Sequence, residues 1–556
     1  MVQSDKTILI EVDNPRYENA RDAIISFADL EKSPEYIHTY RITPLSLWNA
    51  AASGVTADEV LAALDEYGKY PLPDNVRHDI REQMGRYGKL RLVRDEDRLL
   101  LASADPHLIT EVFHQKTVRP YLIDQVSPTA LAVDPRYRGQ IKQALVRLGF
   151  PAEDLAGYVS GTALSVSLVG TTRAGLPFAL RQYQVKAIEA FHAGGAASGG
   201  SGVIVLPCGA GKTAIGIGAM VRLGCQTLIL ATNVTAVRQW IDELLDKTDL
   251  TPELVGEYSG EVKQIRPVTV TTYQILTYRH GKDEDFPHFA LFNQGDWGLI
   301  IYDEVHLLPA PVFRITAEIQ ARRRLGLTAT LVREDGREED VFSLIGPKKY
   351  DVPWKILESQ GWIATADCAE VRIDLPEQIR LEYAVAADRE KFRIASVNPA
   401  KDDVVKALLR HHSGDRILII GQYLDQLERL AADLGAELIT GRVSNRDRER
   451  LYAEFRNGTR SILVVSKVAN FSVDLPDANV AIQVSGTFGS RQEEAQRLGR
   501  ILRPKRDGGS AHFYSLVARE TKDADFAANR QRFLTEQGYR YRILSAAEIL
   551  RLDGRA

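Results

Sequence analysis

Cysteine is nearly missing from this chain of 556 residues: only Cys208, Cys225 and Cys368 occur. They show no paired spacing, which excludes a disulfide framework and a cysteine-rich zinc site and suits a reducing cytosol. Long apolar runs are lacking as well. No stretch approaches the roughly 20 apolar residues of a membrane span, and the opening MVQSDKTILIEVD has no basic start followed by an apolar run. A soluble, cytoplasmic protein without membrane contact is expected. Nor is there an excess of basic charge: 70 Lys and Arg stand against 74 Asp and Glu, a net −4. Any contact with nucleic acid must therefore come from a local groove. What is present is 44% apolar and 26% charged residues, in a chain long enough for about three or four domains.

The first 112 residues read as helical with a hairpin. Two short amphipathic helices fall between Ile42 and Tyr70, and LRLVRDEDRLLLAS places apolar stretches on both sides of a turn at Asp95 to Asp97. Helices plus hairpin suggest a winged-helix-like piece or an interaction module. Residues 113–175 form a second unit, in which Arg119, Tyr121, Arg136, Tyr137 and Arg138 interleave charge and ring. That pattern fits a nucleic-acid face or a solvated one.

After Leu176, apolar stretches of strand length alternate with helical ones, as in a parallel sheet flanked by helices. The pattern runs twice. VIVLP, TLILAT, VTVTTY, GLIIYDE and LGLTAT belong to a unit at 176–355, and ILIIG, ELIT, ILVVS, VAIQVS and HFYSLV to one at 356–556. The fold class is α/β: two tandem parallel-sheet lobes preceded by smaller α+β domains. The Gly/Ala/Ser stretch Ala193 to Gly202 is read as a loop within the first lobe.

VIVLPCGAGKTAIGIGAM is a strand, a glycine-bearing loop (Pro207, Cys208, Gly209, Ala210, Gly211) and a helix. Phosphate needs this arrangement: glycines let the backbone approach, N–H groups and the helix N-terminus bind the anion, Lys212 reaches the β and γ oxygens, and Thr213 helps hold Mg2+. Leu206 stands where the generic pattern has a first glycine. GLIIYDEVH ends an apolar strand in adjacent carboxylates at the carboxyl edge of the sheet. Asp303 is expected to hold magnesium, and Glu304 to orient and deprotonate the attacking water. In LRQYQ, Arg181 and Gln184 join the nucleotide-binding candidates, with Gln184 reading the adenine edge. In EEAQRLGRILRP, Gln496, Arg497, Arg500 and Arg503 gather on one helical face, where a guanidinium from the second lobe would neutralise the transferring phosphoryl group.

LPCGAGKT, DEVH, LTATLVREDG, SVDLP and FGSRQEEAQRLGRILRP together resemble the XPB helicases of superfamily two, in their bacterial form, over Leu176 to about Val517. The resemblance implies two RecA-like lobes closing on ATP and Mg2+, with Asp474 of SVDLP in the nucleotide pocket. It implies a damage-recognition-like role for 113–175, a thumb-like insertion near 382–410, and an RED element at Arg333, Glu334 and Asp335 lying close to DNA. Thr328 and Thr330 resemble a segment coupling hydrolysis to movement. Thr271, Thr272 and Tyr273 resemble a strand-contacting segment whose hydroxyls and amides suit phosphate.

The activity so implied is that of a DNA-dependent ATPase and 3′–5′ helicase that opens or translocates along DNA in nucleotide excision repair. Its DNA would be single-stranded or forked and largely sequence-independent, with a repair nuclease as partner, a monomeric state and a nucleoid-associated place in the cytoplasm. Two other readings stand beside it: a double-strand DNA translocase, and an ATP-gated damage-binding scaffold that recruits a nuclease.

Overall fold

The computed structural model describes residues 1–33, 36–207, 209–279, 286–320, 322–329, 331, 336–352, 357, 366–466, 478–486, 511–536 and 541–551. At the start, β1 (Thr7–Glu11), β2 (Asp29–Lys32) and β3 (Ile37–Arg41) form an antiparallel sheet in the order β1-β3-β2. The two helices anticipated after Ile42 are Pro44–Ala52 and Ala57–Tyr67, each opened by a threonine capping box, and a third, Asp74–Arg86, follows. Their apolar faces close one core around Tyr40, Leu47, Leu61, Val76 and Ile80.

The hairpin forms as β4 (Leu90–Asp95) and β5 (Arg98–Ala102), with Arg94 opposite Leu99. It is not a wing on the preceding helices. With β6 (Leu122–Ser127), β7 (Ala130–Val133) and β8 (Ala152–Asp154) it makes a five-stranded sheet in the order β6-β7-β5-β4-β8. A boundary at 112/113 cuts that sheet; the division lies between Arg86 and Leu90. The cause is apolar cover, because Leu99 and Leu101 share a core with Leu131, Val133, Ile141 and Leu145, all later than 113.

The first lobe contains β9 (Ser201–Val205), β10 (Thr227–Ala231), β11 (Val255–Tyr258), β12 (Val268–Thr272), β13 (Leu299–Asp303), β14 (Arg323–Thr328) and β15 (Lys348–Asp351). All are parallel, in the order β11-β12-β10-β13-β14-β9-β15. The second contains β16 (Ala366–Ile373), β17 (Ile417–Gly421), β18 (Glu437–Ile439), β19 (Ile462–Ser466), β20 (Val480–Gln483), β21 (Ala511–Ala518) and β22 (Tyr541–Ser545). These are parallel too, in the order β18-β19-β17-β20-β21-β16-β22. Central strands buried on both faces explain the near-continuous apolar stretches of the sequence. Residues 193–200 connect the helix Gln182–His192 to β9, as a loop of the first lobe. The thumb-like region is helical, as Glu377–Val385, Asp388–Ser396 and Ala400–His411.

The five-stranded domain is seated firmly on the first lobe. Arg138 and Lys142 are buried and both pair with Asp154, at 2.6 and 2.9 Å. Arg138 is thus occupied within the protein and not part of an open basic face. The ring of Tyr158 lies between the guanidinium groups of Arg138 and Arg324, and its hydroxyl donates to Ser201 Oγ at the start of β9, 2.7 Å. Beyond it the chain runs along the lobe through Thr162 N–H to Asp296 O, Leu164 N–H to Gly224 O and Val169 N–H to Lys247 O.

Candidate active site

The loop after β9 is held from behind. Leu206 N–H donates to Thr328 O and Ala210 N–H to Pro207 O. Gly209 and Gly211 have φ of 82° and 78°, a region that favours glycine. A Cβ on Gly211 would lie 2.6 Å from Gln184 Nε2. Lys212 and Thr213 then open the helix Lys212–Leu223, whose first N–H groups lack intrahelical partners and face the loop.

Arg181 and Gln184 act as the brace of this loop. Gln184 is buried; its Oε1 accepts from Arg181 N–H at 2.8 Å and its Nε2 donates to Ala210 O at 3.2 Å. Tyr183 donates its hydroxyl to the same carbonyl, 2.6 Å, and receives a bond from Arg181 Nη1, 3.0 Å. The amide expected to read adenine is thus engaged at both ends with the protein, because it caps its own helix.

Asp303 ends β13, and Glu304 follows with φ 49° and ψ 57°. A left-handed conformation at a non-glycine residue is strained, and here it turns the carboxylate toward the phosphate loop. Lys212 Nζ lies 2.7 Å from Glu304 Oε1, with both side chains largely buried. His306 stands 3.5 Å from Glu304 Oε2 and shares a 2.6 Å hydrogen bond with Thr328 Oγ1. Trp240 Nε1 donates to Asp303 Oδ2 at 2.9 Å. Burial, and next the charge of Glu304, raise the ionisation of Asp303 above the usual carboxylate range. Burial opposes ionisation of Glu304 also, yet Lys212 and then His306 outweigh it and hold its carboxyl low. Two adjacent carboxylates are thereby set apart in character.

A magnesium ion fits these donors. Among the described residues no group of three or more His, Cys, Asp or Glu makes a metal cage, and magnesium with nucleotide needs none: one or two oxygen ligands from protein suffice beside phosphate. The Asp303 carboxylate and the Thr213 hydroxyl, both hard oxygen donors at the same sheet edge, meet that requirement.

Comparison with known proteins agrees with this geometry. Residues 357–553 match the ERCC3/RAD25/XPB C-terminal helicase model, 177–333 the type III restriction enzyme res subunit model, and 1–127 a helicase conserved C-terminal domain model. "DNA 3'-5' helicase XPB" of Kineococcus radiotolerans is 56% identical over 99% of this chain and 97% of that protein. The chain belongs to the XPB family of DNA helicases. The Mycobacterium tuberculosis protein of the same name is 55% identical, covering 99% and 98%. The general transcription and DNA repair factor IIH helicase/translocase subunit XPB of Antonospora locustae is 34% identical, covering 99% and 82%. The two parallel sheets are accordingly the RecA-like lobes of an XPB-family protein.

Two contributors to this XPB-family site, Trp240 and His306, were missed as site residues in the sequence, and a third, Tyr273, was given another role. Trp240 sits at core spacing with Val237 and Leu244 in its helix, so nothing marked its indole N–H. His306 was visible within DEVH without a role. Tyr273 was assigned to a strand-contacting segment, but its hydroxyl donates to the Asp303 carbonyl at 2.8 Å. The hydroxyls of that segment are occupied by the protein's own backbone or buried. Thr271 has no exposed surface, and Thr272, also buried, accepts from Ile275 N–H. They end β12 inside the sheet, where neighbours and helices cover them. Thr328 is buried against His306 and so connects LTAT to DEVH. Cys208, Thr330, Arg333, Glu334, Asp335, Asp474, Gln496, Arg497, Arg500 and Arg503 lie outside the described residues.

Proposed function

We propose that the chain is an ATP-dependent DNA helicase moving 3′ to 5′, working in nucleotide excision repair. The observation that carries this reading is Lys212 paired with Glu304 beside Asp303, at the carboxyl edge of the first lobe's sheet. Incoming β and γ phosphates draw Lys212 away from Glu304. Glu304, freed of its partner and held in a buried setting, then orients water and takes its proton. Asp303 and Thr213 would hold Mg2+, which would offset the phosphate charge when bound. The loop amides and the helix N-terminus fix the phosphates. His306 and Thr328 pass the state of Glu304 to β14, and Arg500 and Arg503 supply cationic groups from the second lobe.

The DNA is single-stranded or forked and held mainly through its backbone, without sequence preference. A repair nuclease is the partner that such opening serves. One copy suffices because both lobes lie in one chain, which works in the cytoplasm at the nucleoid. DNA-stimulated ATPase and strand displacement test the reading. Glu304→Gln is expected to lower kcat by about 10²- to 10⁴-fold, Arg500→Ala by roughly a thousandfold or more, and Lys212→Ala to abolish turnover. Hydrolysis surviving all three changes would show the pocket to be elsewhere.

A second reading, duplex translocation without strand separation, is favoured by the word translocase in the Antonospora relative's name. Triplex displacement run beside strand displacement separates the two.

A further inference from the structure

Outside the nucleotide site, the buried pair Lys401–Asp523 stands at the carboxyl edge of the second lobe's sheet. Neither side chain has exposed surface, and Lys401 Nζ lies 3.0 Å from Asp523 Oδ2. The same ammonium donates to Val484 O, 2.9 Å, just past β20. Asp523 Oδ2 also accepts from Ala518 N–H at the end of β21, 3.1 Å. One residue beyond Val484, Ser485 Oγ accepts from Gln422 N–H, which follows β17, at 2.7 Å. Asn398, fully buried, donates to Asp374 O just past β16, 3.1 Å. The ion pair itself ties the carboxyl ends of β20 and β21, and two neighbouring side-chain bonds secure the ends of β17 and β16. Loops leaving this edge are where such sheets place ligands.

Burying two charges is costly, and apolar residues of similar volume often serve stability equally well. An apolar pair cannot hold a carbonyl in one direction, which is what Lys401 does for Val484. Lys401 opens the helix Ala400–His411, immediately after the helices Glu377–Val385 and Asp388–Ser396. That helical insertion packs on the same edge: Ile379, Tyr383 and Ala395 share a small core with Leu375 and Ala518. The Tyr383 hydroxyl accepts from Lys522 N–H, 2.9 Å, and Asp388 pairs with Lys522 Nζ at 3.0 Å. On the other side, the chain leaving Val484 is the one that reaches Gln496 and Arg500.

We propose that Lys401 and Asp523 are positioning residues for ATP hydrolysis: they couple the helical insertion Glu377–Ser396 to the strand end from which the arginine-bearing segment departs. This rests on the motor reading above. The test compares Lys401→Met with the double variant Lys401→Met/Asp523→Leu, following melting temperature and DNA-stimulated ATPase over ATP concentration. The single change is expected to lower kcat by about tenfold or more with KM for ATP shifted less than about twofold. In the double change, with no lone buried charge, the melting temperature returns toward wild type while kcat stays low. Recovery of kcat together with melting temperature would reduce the pair to a stability element and overturn the proposal. Should the double variant not fold, Ser485→Ala decides, since it loosens the same strand end by one oxygen: a severalfold fall in kcat at unchanged KM supports the proposal, and unchanged kcat overturns it. Wild-type protein without any DNA-stimulated turnover would sink the motor reading itself, whereas normal turnover in the variants sinks only this inference.

Discussion

Glu304 combines two costs at one position, a left-handed backbone and burial beside Asp303, and Lys212 offsets the second of them. Strain of this kind, about 1–3 kcal/mol, persists where the surroundings over-determine the conformation. The surroundings are Lys212 in front, His306 at the side and Trp240 on the neighbouring carboxylate. Trp240→Phe keeps an aromatic ring, though a smaller one, and removes the N–H that fixes Asp303. Unfolding free energy is expected to fall by about 1.5–3 kcal/mol, the usual worth of a hydrogen bond to a charged group, as read by urea titration. ATPase is expected to need more magnesium for half-maximal rate, and an unchanged magnesium dependence would mean that Asp303 is oriented by something else.

At the level of elements, Tyr273 ties the end of β12 to the end of β13 through the Asp303 carbonyl. Tyr273→Phe is expected to cost about 1 kcal/mol of stability and to lower the ratio of DNA-stimulated to basal ATPase. A preserved ratio would show that β12 plays no part in the coupling. A different element responds to pH. His38 on β3 is pushed down to about 4 by burial first and Arg21 second, while Tyr17 shares a 2.7 Å hydrogen bond with its ring. Its unfolded value is about 6.5. The neutral ring therefore contributes fully above that pH, and the contribution, up to about 3 kcal/mol, is lost as pH falls toward 4. The protection factors of the β1 and β3 amides, with exchange corrected for its intrinsic slowing in acid, are expected to fall between pH 7 and 4 in wild type and less so in His38→Gln; identical profiles would remove His38 as the cause.

The central strands were legible because burial on both faces writes them as apolar stretches, as in β10, β13 and β17. The edge strands β15 and β22, half-exposed as KKYD and YRILS, carry no such stretch. Within β16 the buried Glu370, held by Arg372 and Tyr541, interrupts the pattern. The hairpin β4–β5 was readable as a hairpin, but local alternation does not say which later strands will join it. The phosphate loop and carboxylates were legible because their chemistry requires fixed residue types. Trp240 was not, since an indole at core spacing looks the same whether or not its N–H is used.

Over the whole molecule, the net charge of −4 confines DNA attraction to local surfaces, so binding should weaken steeply but evenly with salt. A linear fall of log K against log salt, with similar slopes for unrelated sequences, is the expected result in a fluorescence titration; a slope near zero would point to recognition without phosphate contacts. The domains before the motor are not loose appendages. Asn49 Oδ1 accepts from Lys348 N–H, Gln143 donates to Asp340, and Gly139 lies so close to Ala317 that a Cβ would meet its carbonyl oxygen at 2.4 Å. Trp48, Val146 and Phe342 fill the junction of all three parts. Like the frame of a vice, these contacts fasten the two domains before the motor to the first lobe as one piece. Cargo attached at the amino terminus would keep a constant bearing to the phosphate loop throughout the cycle.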